Sequence, residues 1–477
     1  MTDYHNLDVV NPNVGNLVNS LRDIGYTFEL ALADILDNSI SAKARHIQIL
    51  ALPEPKKTVC ILDDGKGMTE TQLIEAMRLA SQNPLTERLN DDLGRFGLGL
   101  KTASFSQCKK LTVASKKNGH LSIKQWDLDY ISKKNEWLLI TPEISDFADI
   151  SLFKALQQLD SGTIVIWQDL DRILTQAFSE IIDISRKHLS LVFHRFLEME
   201  GSKKLKITIN NNPLQPFNPF NISNAATQQI KEEKIKLYDE TIIVQPFILP
   251  HHSKLSQQDF DRYATDEGYT KSQGFYLYRS NRLLIYGTWW GLHKMTDAHK
   301  LVRIKIDISN KQDSFWGIDI KKSTAKPVPA IKDDLKRIIS QVTEKGARPY
   351  TARGRKIEDK TTKRFWMLCP DNEQIKFALD LEHPIYEQLI GSLSDNSKEL
   401  LAIYLKGIQA YLPLDTIQAQ LNQNPNLIKQ EEIMREEDLL KIAELIKRLN
   451  LDDASISSLL KTELFKNKKE LLGLNNE

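Results

Sequence analysis

The sequence predicts an α+β protein, and three observations carry that expectation. Leu17, Leu21 and Ile24, then Phe28, Leu32, Ile35 and Leu36, recur at helical spacing on either side of Gly25. Short β-rich runs follow, among them Val59-Cys60-Ile61-Leu62. A second set of strands begins near residue 203 and closes on a helical pattern of Ile331, Leu335, Ile338 and Ile339. At 477 residues the chain has room for two or three domains and a large core that needs no covalent staples.

Taken in order, 15–42 is predicted helical. His46–Leu50 and Val59–Leu62 are predicted strands joined by the turn-prone Pro53-Glu54-Pro55. A helix starts at Thr69, where the Thr69 to Gln72 spacing is that of a capping box. Residues 81–93 are polar, without periodicity, and read as a mobile loop. Strands are expected at 111–115, 121–127, 136–140 and 162–167, and a long helix at 175–199. In the second region, Lys206–Asn210 alternates as a strand, and further strands are expected at 233–248, 273–278, 282–286 and 301–308. A helix is expected over 327–340. Residues 345–364 hold eight Lys or Arg against two acids and read as a basic linker, and 373–477 is expected to be helical. The domain expectation is therefore 1–200, 201–344, a linker 345–372 and a helical region 373–477.

Composition narrows the function classes. The chain is 41% hydrophobic and 27% charged, ordinary for a globular protein, and its formal net charge is only +1. No global field draws in nucleic acid, so any such site must be a local patch. Cys60, Cys108 and Cys369 are far apart and form no CxxC pair, which argues against zinc and a disulfide framework and fits a reducing cytoplasm. The polar start Met1–His5 lacks the charged-then-apolar order of a signal peptide, and no apolar run is long enough to span a membrane.

Three motifs carry the chemistry. In Asp34-Ile35-Leu36-Asp37-Asn38, Asp34 and Asn38 are i,i+4 neighbours on one helix face. Asn38 offers a neutral amide oxygen suited to Mg²⁺, and Asp34 a carboxylate able to orient or deprotonate water. Asp63-Asp64-Gly65-Lys66-Gly67-Met68 follows a buried strand. A carboxylate fixed there, Asp63, can accept from an exocyclic amine such as that of adenine, Gly65 and Gly67 let the backbone approach a ligand closely, and Met68 could pack on a base as a polarisable wall; a plain turn is the other reading. The regular carboxylate spacing and terminal Glu of a calcium loop are absent. Gly94-x-x-Gly97-Leu98-Gly99 lets successive N–H groups converge on phosphate, with Lys101 as a point charge. It is neither GxxxxGK[ST] nor a dinucleotide fingerprint opening the first βαβ unit.

In order and spacing these motifs resemble the GHKL ATPase superfamily of gyrase, heat-shock-ninety chaperones, histidine kinases, MutL and MORC proteins. That resemblance implies a Bergerat α/β sandwich ATPase domain, a ribosomal-protein-like α+β transducer and a C-terminal helical domain, with ATP and Mg²⁺ as ligands. It also implies an ATP lid over 81–99 and a later strand, Ser161–Ile166, whose Thr163 reaches adenine through water. The hydrolytic members carry Glu where this chain has Asp34, shorter by about 1.5 Å, so slow turnover is expected. Gly274–Leu284 resembles the MORC and MutL transducer segment, and Phe315–Ser323 its loop whose lysine reaches the nucleotide; Lys322 and Lys321 are both candidates. A lysine from a second domain would stabilise γ-phosphate charge and report the nucleotide state.

The leading reading is an ATP-driven switch of MORC or MutL type. ATP would order the lid, move segment 1–20 and bring two heads together as a homodimer. Arg348, Arg353, Arg355 and Lys356, with Lys360, Lys363 and Arg364, suggest DNA contact, and Tyr350, Phe365 and Trp366 could stack on bases. The same resemblance implies a role in bacterial antiviral defence, with any nuclease belonging to a partner protein. A heat-shock-ninety-like chaperone or a non-hydrolysing ATP sensor is the alternative. A histidine kinase would need a phospho-accepting His ahead of the first motif, where only His5 stands.

Overall fold

A computed structural model describes residues 12–79, 99–174, 177–265, 267–319, 321–322, 324–355, 362–371, 374–423, 434, 436–448, 451 and 453–465. The chain divides into one unit of residues 1–249 and 263–343 and another of 250–262 and 344–477.

The first unit opens with α1 (Val14–Arg22) and α2 (Phe28–Ser41), separated at Gly25. Gly25 has φ +83, a conformation that suits glycine and ends the first helix. Next come β1 (His46–Leu52), β2 (Thr58–Asp63), α3 (Glu70–Met77), α4 (Gly99–Gln107), β3 (Lys110–Lys117) and β4 (His120–Asp127). They are followed by α5 (Leu128–Lys134), α6 (Ser151–Gln158), β5 (Gly162–Gln168), α7 (Phe178–Val192), α8 (His194–Glu198), β6 (Lys206–Ile209) and β7 (Asn212–Pro213). The expected capping box is present: Gln72 N–H donates to Thr69 Oγ1, and Thr69 N–H to Gln72 Oε1.

The first sheet has the order β4-β3-β5-β2-β1-β6-β7. All its pairings are antiparallel except β1 with β6. Both faces are covered. Ile61, Val113, Val165 and Trp167 pack with the side chains of α2, α4 and α7. Cys60, Leu62, Ile164 and Ile166 pack against Phe153 and Leu156 of α6. Two covered faces explain why Val59–Leu62 is a continuous apolar run rather than an alternating one.

The second sheet comprises β8 (Gln228–Gln229), β9 (Glu233–Leu237), β10 (Glu240–Ile248), β11 (Gly274–Arg279), β12 (Arg282–Thr288) and β13 (Val302–Ile308). Its order is β12-β11-β13-β10-β8, with β9 on β10. Helices α9 (Gln257–Ala264) and α10 (Gly268–Lys271) precede β11, and α11 (Lys332–Arg355) follows the sheet. Leu191 of α7 shares a core with Phe247, Tyr276, Tyr278 and Leu283 of the second sheet.

In the other unit a hairpin of β14 (Trp366–Asp371) and β15 (Gln374–Leu379) precedes α12 (Pro384–Ser392), α13 (Asp395–Ala410), α14 (Leu414–Gln423), α15 (Glu436–Arg448) and α16 (Asp453–Leu459).

Several expectations change. Lys206–Ile209, expected to open the second region, joins the first sheet, because its alternating face pairs in parallel with β1. Residues 136–140 form no strand; only Ile140 bridges to Gln125. The helix expected over 175–199 is two helices broken at Phe193, and positions 175–176 lie outside the described residues. The basic segment continues α11 to Arg355, and β15 falls within the stretch expected to be helical. All three cysteines are free. Among the described residues no helix is long and apolar enough to cross a membrane.

Candidate functional site

The second motif sits where three strands end side by side. Asp63 closes β2 and pairs with Thr163 of β5, which pairs with Ser115 of β3. Asp63 is buried, and its oxygens accept from Gly65 N–H (2.9 Å) and Ser39 Oγ (2.8 Å). Each oxygen keeps lone-pair capacity for a further donor. Burial pushes the Asp63 carboxyl up to about 6, against the pull of the Gly65 and Ser39 hydrogen bonds. Ser115 Oγ lies 2.8 Å from Thr163 Oγ1, and the same oxygen accepts from Met68 N–H (2.8 Å). The turn needs its glycines: a Cβ on Gly67, at φ +62, would stand 1.9 Å from the Lys116 carbonyl oxygen. Met68 is half-buried against the core.

The first motif lies on α2, which packs between α4 and α7. Asp34 and Asp37 are buried, while Asn38, one turn on from Asp34, is exposed. The two carboxylates meet two cations from the second half of the unit. Lys322 Nζ donates to Asp37 Oδ2 (2.6 Å) and Asp34 Oδ1 (3.0 Å). Arg282 Nε, at the start of β12, donates to Asp37 Oδ2 (3.0 Å). Tyr26 donates its hydroxyl to Asp34 Oδ2 (2.8 Å). Asp34, Asp37, Arg282 and Lys322 are all buried, so the cluster balances two negative against two positive charges away from water. Burial raises the Asp34 carboxyl above the usual range, opposed by Lys322 and helped by Asp37. His188 of α7, half-buried near Arg282 and Asp37, falls to about 3, chiefly by desolvation and then by Arg282, so it stays neutral.

Of the two candidate lysines, Lys322 holds the carboxylates, in a left-handed conformation (φ 54) that aims it at α2. The Lys321 ammonium is 3.5 Å from the Gly25 carbonyl oxygen. In the third motif, Gly94, Gly97 and Leu98 lie outside the described residues, as does most of the expected lid. Gly99 begins α4, and among the described residues a Cβ there would meet only Asp34 Oδ2, at 3.8 Å. The positive end of α4 thus opens beside Asp34. Lys101 is buried and donates to the Ala76 carbonyl oxygen of α3 (2.9 Å); burial lowers it to about 8. Arg348, Arg353 and Arg355 lie on α11, and Lys356 lies outside the described residues.

Sequence reasoning missed Tyr26, Ser39, Ser115 and the partnership of Arg282 with Asp37. Ser39 had a local signal, as the neighbour of Asn38. The others are joined only by folding.

The donor chemistry fits a magnesium ion carried by a nucleotide. Among the described residues no three His, Cys, Asp or Glu side chains cluster as a metal cage. Asn38, exposed on α2, carries a neutral amide oxygen, a donor type that suits an ion keeping phosphate and water ligands. No curated protein matches the chain. Residues 26–163, which hold Asp34, Asn38, Asp63 and Thr163, match the family model described as "Histidine kinase-, DNA gyrase B-, and HSP90-like ATPase", so this part of the chain is similar to the ATPase domains of the GHKL superfamily.

Proposed function

We propose that the chain is a slow ATPase of the MORC and MutL type, in which nucleotide rearranges the second sheet and joins two heads. One observation carries this reading: Lys322 and Arg282, both beyond the matched segment, end on Asp34 and Asp37 of the motif helix. Asp63 reads the adenine amine, with Thr163 and Ser115 beside it. Asn38 holds Mg²⁺, which neutralises phosphate charge when bound. Asp34 is the base that takes a proton from the attacking water. The γ-phosphate competes with Asp34 and Asp37 for the Lys322 ammonium, so nucleotide binding and the position of the second sheet are linked. DNA is the proposed partner, through Arg348, Arg353 and Arg355 on α11 and the adjoining Lys356.

Phosphate release by the full chain, with sedimentation velocity in ADP and in a non-hydrolysable ATP analogue, tests this proposal. Turnover that is lost in Asp34→Asn, together with a larger species in the analogue alone, is expected. Unchanged sedimentation in every nucleotide state would remove the switch reading, and absent turnover would remove the ATPase reading.

A further inference from the structure

The geometry points to Tyr26 as a positioning residue for Asp34, held in turn by Thr102 of α4. The inference rests on the reading of Asp34 as the base.

Tyr26 stands between Gly25 and the start of α2, eight residues before Asp34. Its ring is buried in the core of the first unit, and its carbonyl oxygen accepts from Gln107 Nε2 (3.2 Å), so its backbone is tied to the end of α4. A carboxylate only accepts, so the Tyr26 hydroxyl donates its proton toward Asp34 Oδ2. With that proton committed, the Tyr26 oxygen accepts from the Thr102 side chain. The order of donation is thus Thr102 to Tyr26 to Asp34, with Lys322 donating to the other Asp34 oxygen.

Two fixed donors on opposite oxygens set the plane of the Asp34 carboxylate. A short side chain needs this more than a long one, because its reach is limited and a misaimed carboxylate cannot reach a water beside phosphate. Oδ2, the oxygen Tyr26 holds, is also the one that faces Gly99 at the start of α4. Tyr26 therefore aims the oxygen on the phosphate-binding side, and α4 is connected to Asp34 through one hydrogen-bonded chain. Tyr26 itself is not a proton donor in the reaction: burial and the neighbouring Asp34 charge hold its hydroxyl well above its ordinary range.

The charged and titratable groups facing Asp34 are Asp37 on its own helix, Lys322 from the loop after β13, Arg282 of β12 and Tyr26; Asp319 faces Tyr26, and His188 of α7 lies near Arg282 and Asp37. Removing the Tyr26 donor takes away a hydrogen bond that is stronger to the ionised form than to the neutral one, so the Asp34 carboxyl rises further.

The test is the pH dependence of phosphate release by the full chain, with ATP affinity measured separately, for Tyr26→Phe, Thr102→Val and Asp34→Asn. Tyr26→Phe is expected to lower kcat about ten- to hundredfold and move its acid limb up by about one pH unit or more, with ATP affinity within twofold. Thr102→Val, which removes only the outer donor, moves the limb the same way by less. A merely structural role would not move the limb. Unchanged kcat and acid limb in Tyr26→Phe, with turnover abolished in Asp34→Asn, would overturn the role of Tyr26 while leaving Asp34 the base. Turnover retained in Asp34→Asn would overturn the reading of Asp34 instead. If Tyr26→Phe fails to bind ATP, Thr102→Val decides, and a limb that stays in place overturns the inference.

Discussion

Replacing Lys322 with Met keeps the aliphatic stem and removes the ammonium that lies 2.6 Å from Asp37 and 3.0 Å from Asp34. Deleting one partner of a buried ion pair typically costs about 3–5 kcal/mol, since the other charge stays buried without compensation. Here Asp37 keeps Arg282 and Asp34 keeps the Tyr26 hydroxyl, so the lower end applies, about 3 kcal/mol at neutral pH. The pH dependence has a definite sign. The Asp34 carboxyl is already raised by burial, and loss of Lys322 raises it further. A carboxyl whose folded value exceeds its unfolded value favours the folded state fully below the unfolded value, and that contribution is lost as pH rises through the folded value. The deficit of Lys322→Met should therefore shrink as pH falls from 7 toward the ordinary Asp range near 4. Urea unfolding followed by tryptophan fluorescence reads this, because Trp126, Trp137, Trp167, Trp289, Trp290 and Trp316 all lie in the first unit. A deficit below about 1 kcal/mol, the range of an exposed pair, or one that does not vary with pH, would refute the argument.

Asp63 gives a second pH prediction. If Asp63 accepts from the adenine amine, its carboxyl, pushed up to about 6, makes ATP bind more weakly as pH falls through that value; calorimetric affinities that stay flat between pH 5 and 7.5 would contradict this. Gly67→Ala must place a Cβ 1.9 Å from the Lys116 carbonyl oxygen at φ +62, and a loss of about 2–4 kcal/mol in urea unfolding is expected, whereas an unchanged midpoint would show that the turn is not needed. If α11 touches DNA, Arg353→Ala with Arg355→Ala should reduce the slope of log affinity against log salt by roughly 2, measured by fluorescence anisotropy; an unchanged slope would place any DNA contact elsewhere.

The local parts of the site were legible because each lies on one element. The Thr69 box, the placement of Asp34 and Asn38 on one helix and the strand end at Asp63 follow from short-range spacing, whereas the helix expected over 15–42 is two helices, parted around the left-handed Gly25. The burial of Asp34 and Asp37 was not legible. Both stand on a helix whose polar residues read equally well as a solvated face, and their cationic partners lie 245 to 288 positions away in sequence. Ser115 was hidden for the opposite reason, since a lone serine after Val113 and Ala114 looks like an ordinary strand residue until Thr163 is paired beside it. The extent of α11 was misjudged because Gly346, Pro349 and Gly354 all disfavour helix by propensity. The hairpin Trp366–Leu379 had a signal in the alternation of Ile375, Phe377 and Leu379, outweighed by the helical composition that follows it.

The seam between α2 and the second sheet bears on how this protein can be divided. A fragment covering only residues 26–163 would contain the whole nucleotide motif helix yet lack Arg282, Lys322 and the parallel strand β6. Asp34 and Asp37 would then face each other in an apolar core with no counter-charge, and one would have to take up a proton or the helix would have to turn outward. Residues far downstream thus act as an internal folding partner for α2. Expression boundaries drawn at the end of the recognisable motif segment would therefore change either the ionisation state of Asp34 and Asp37 or the seating of α2.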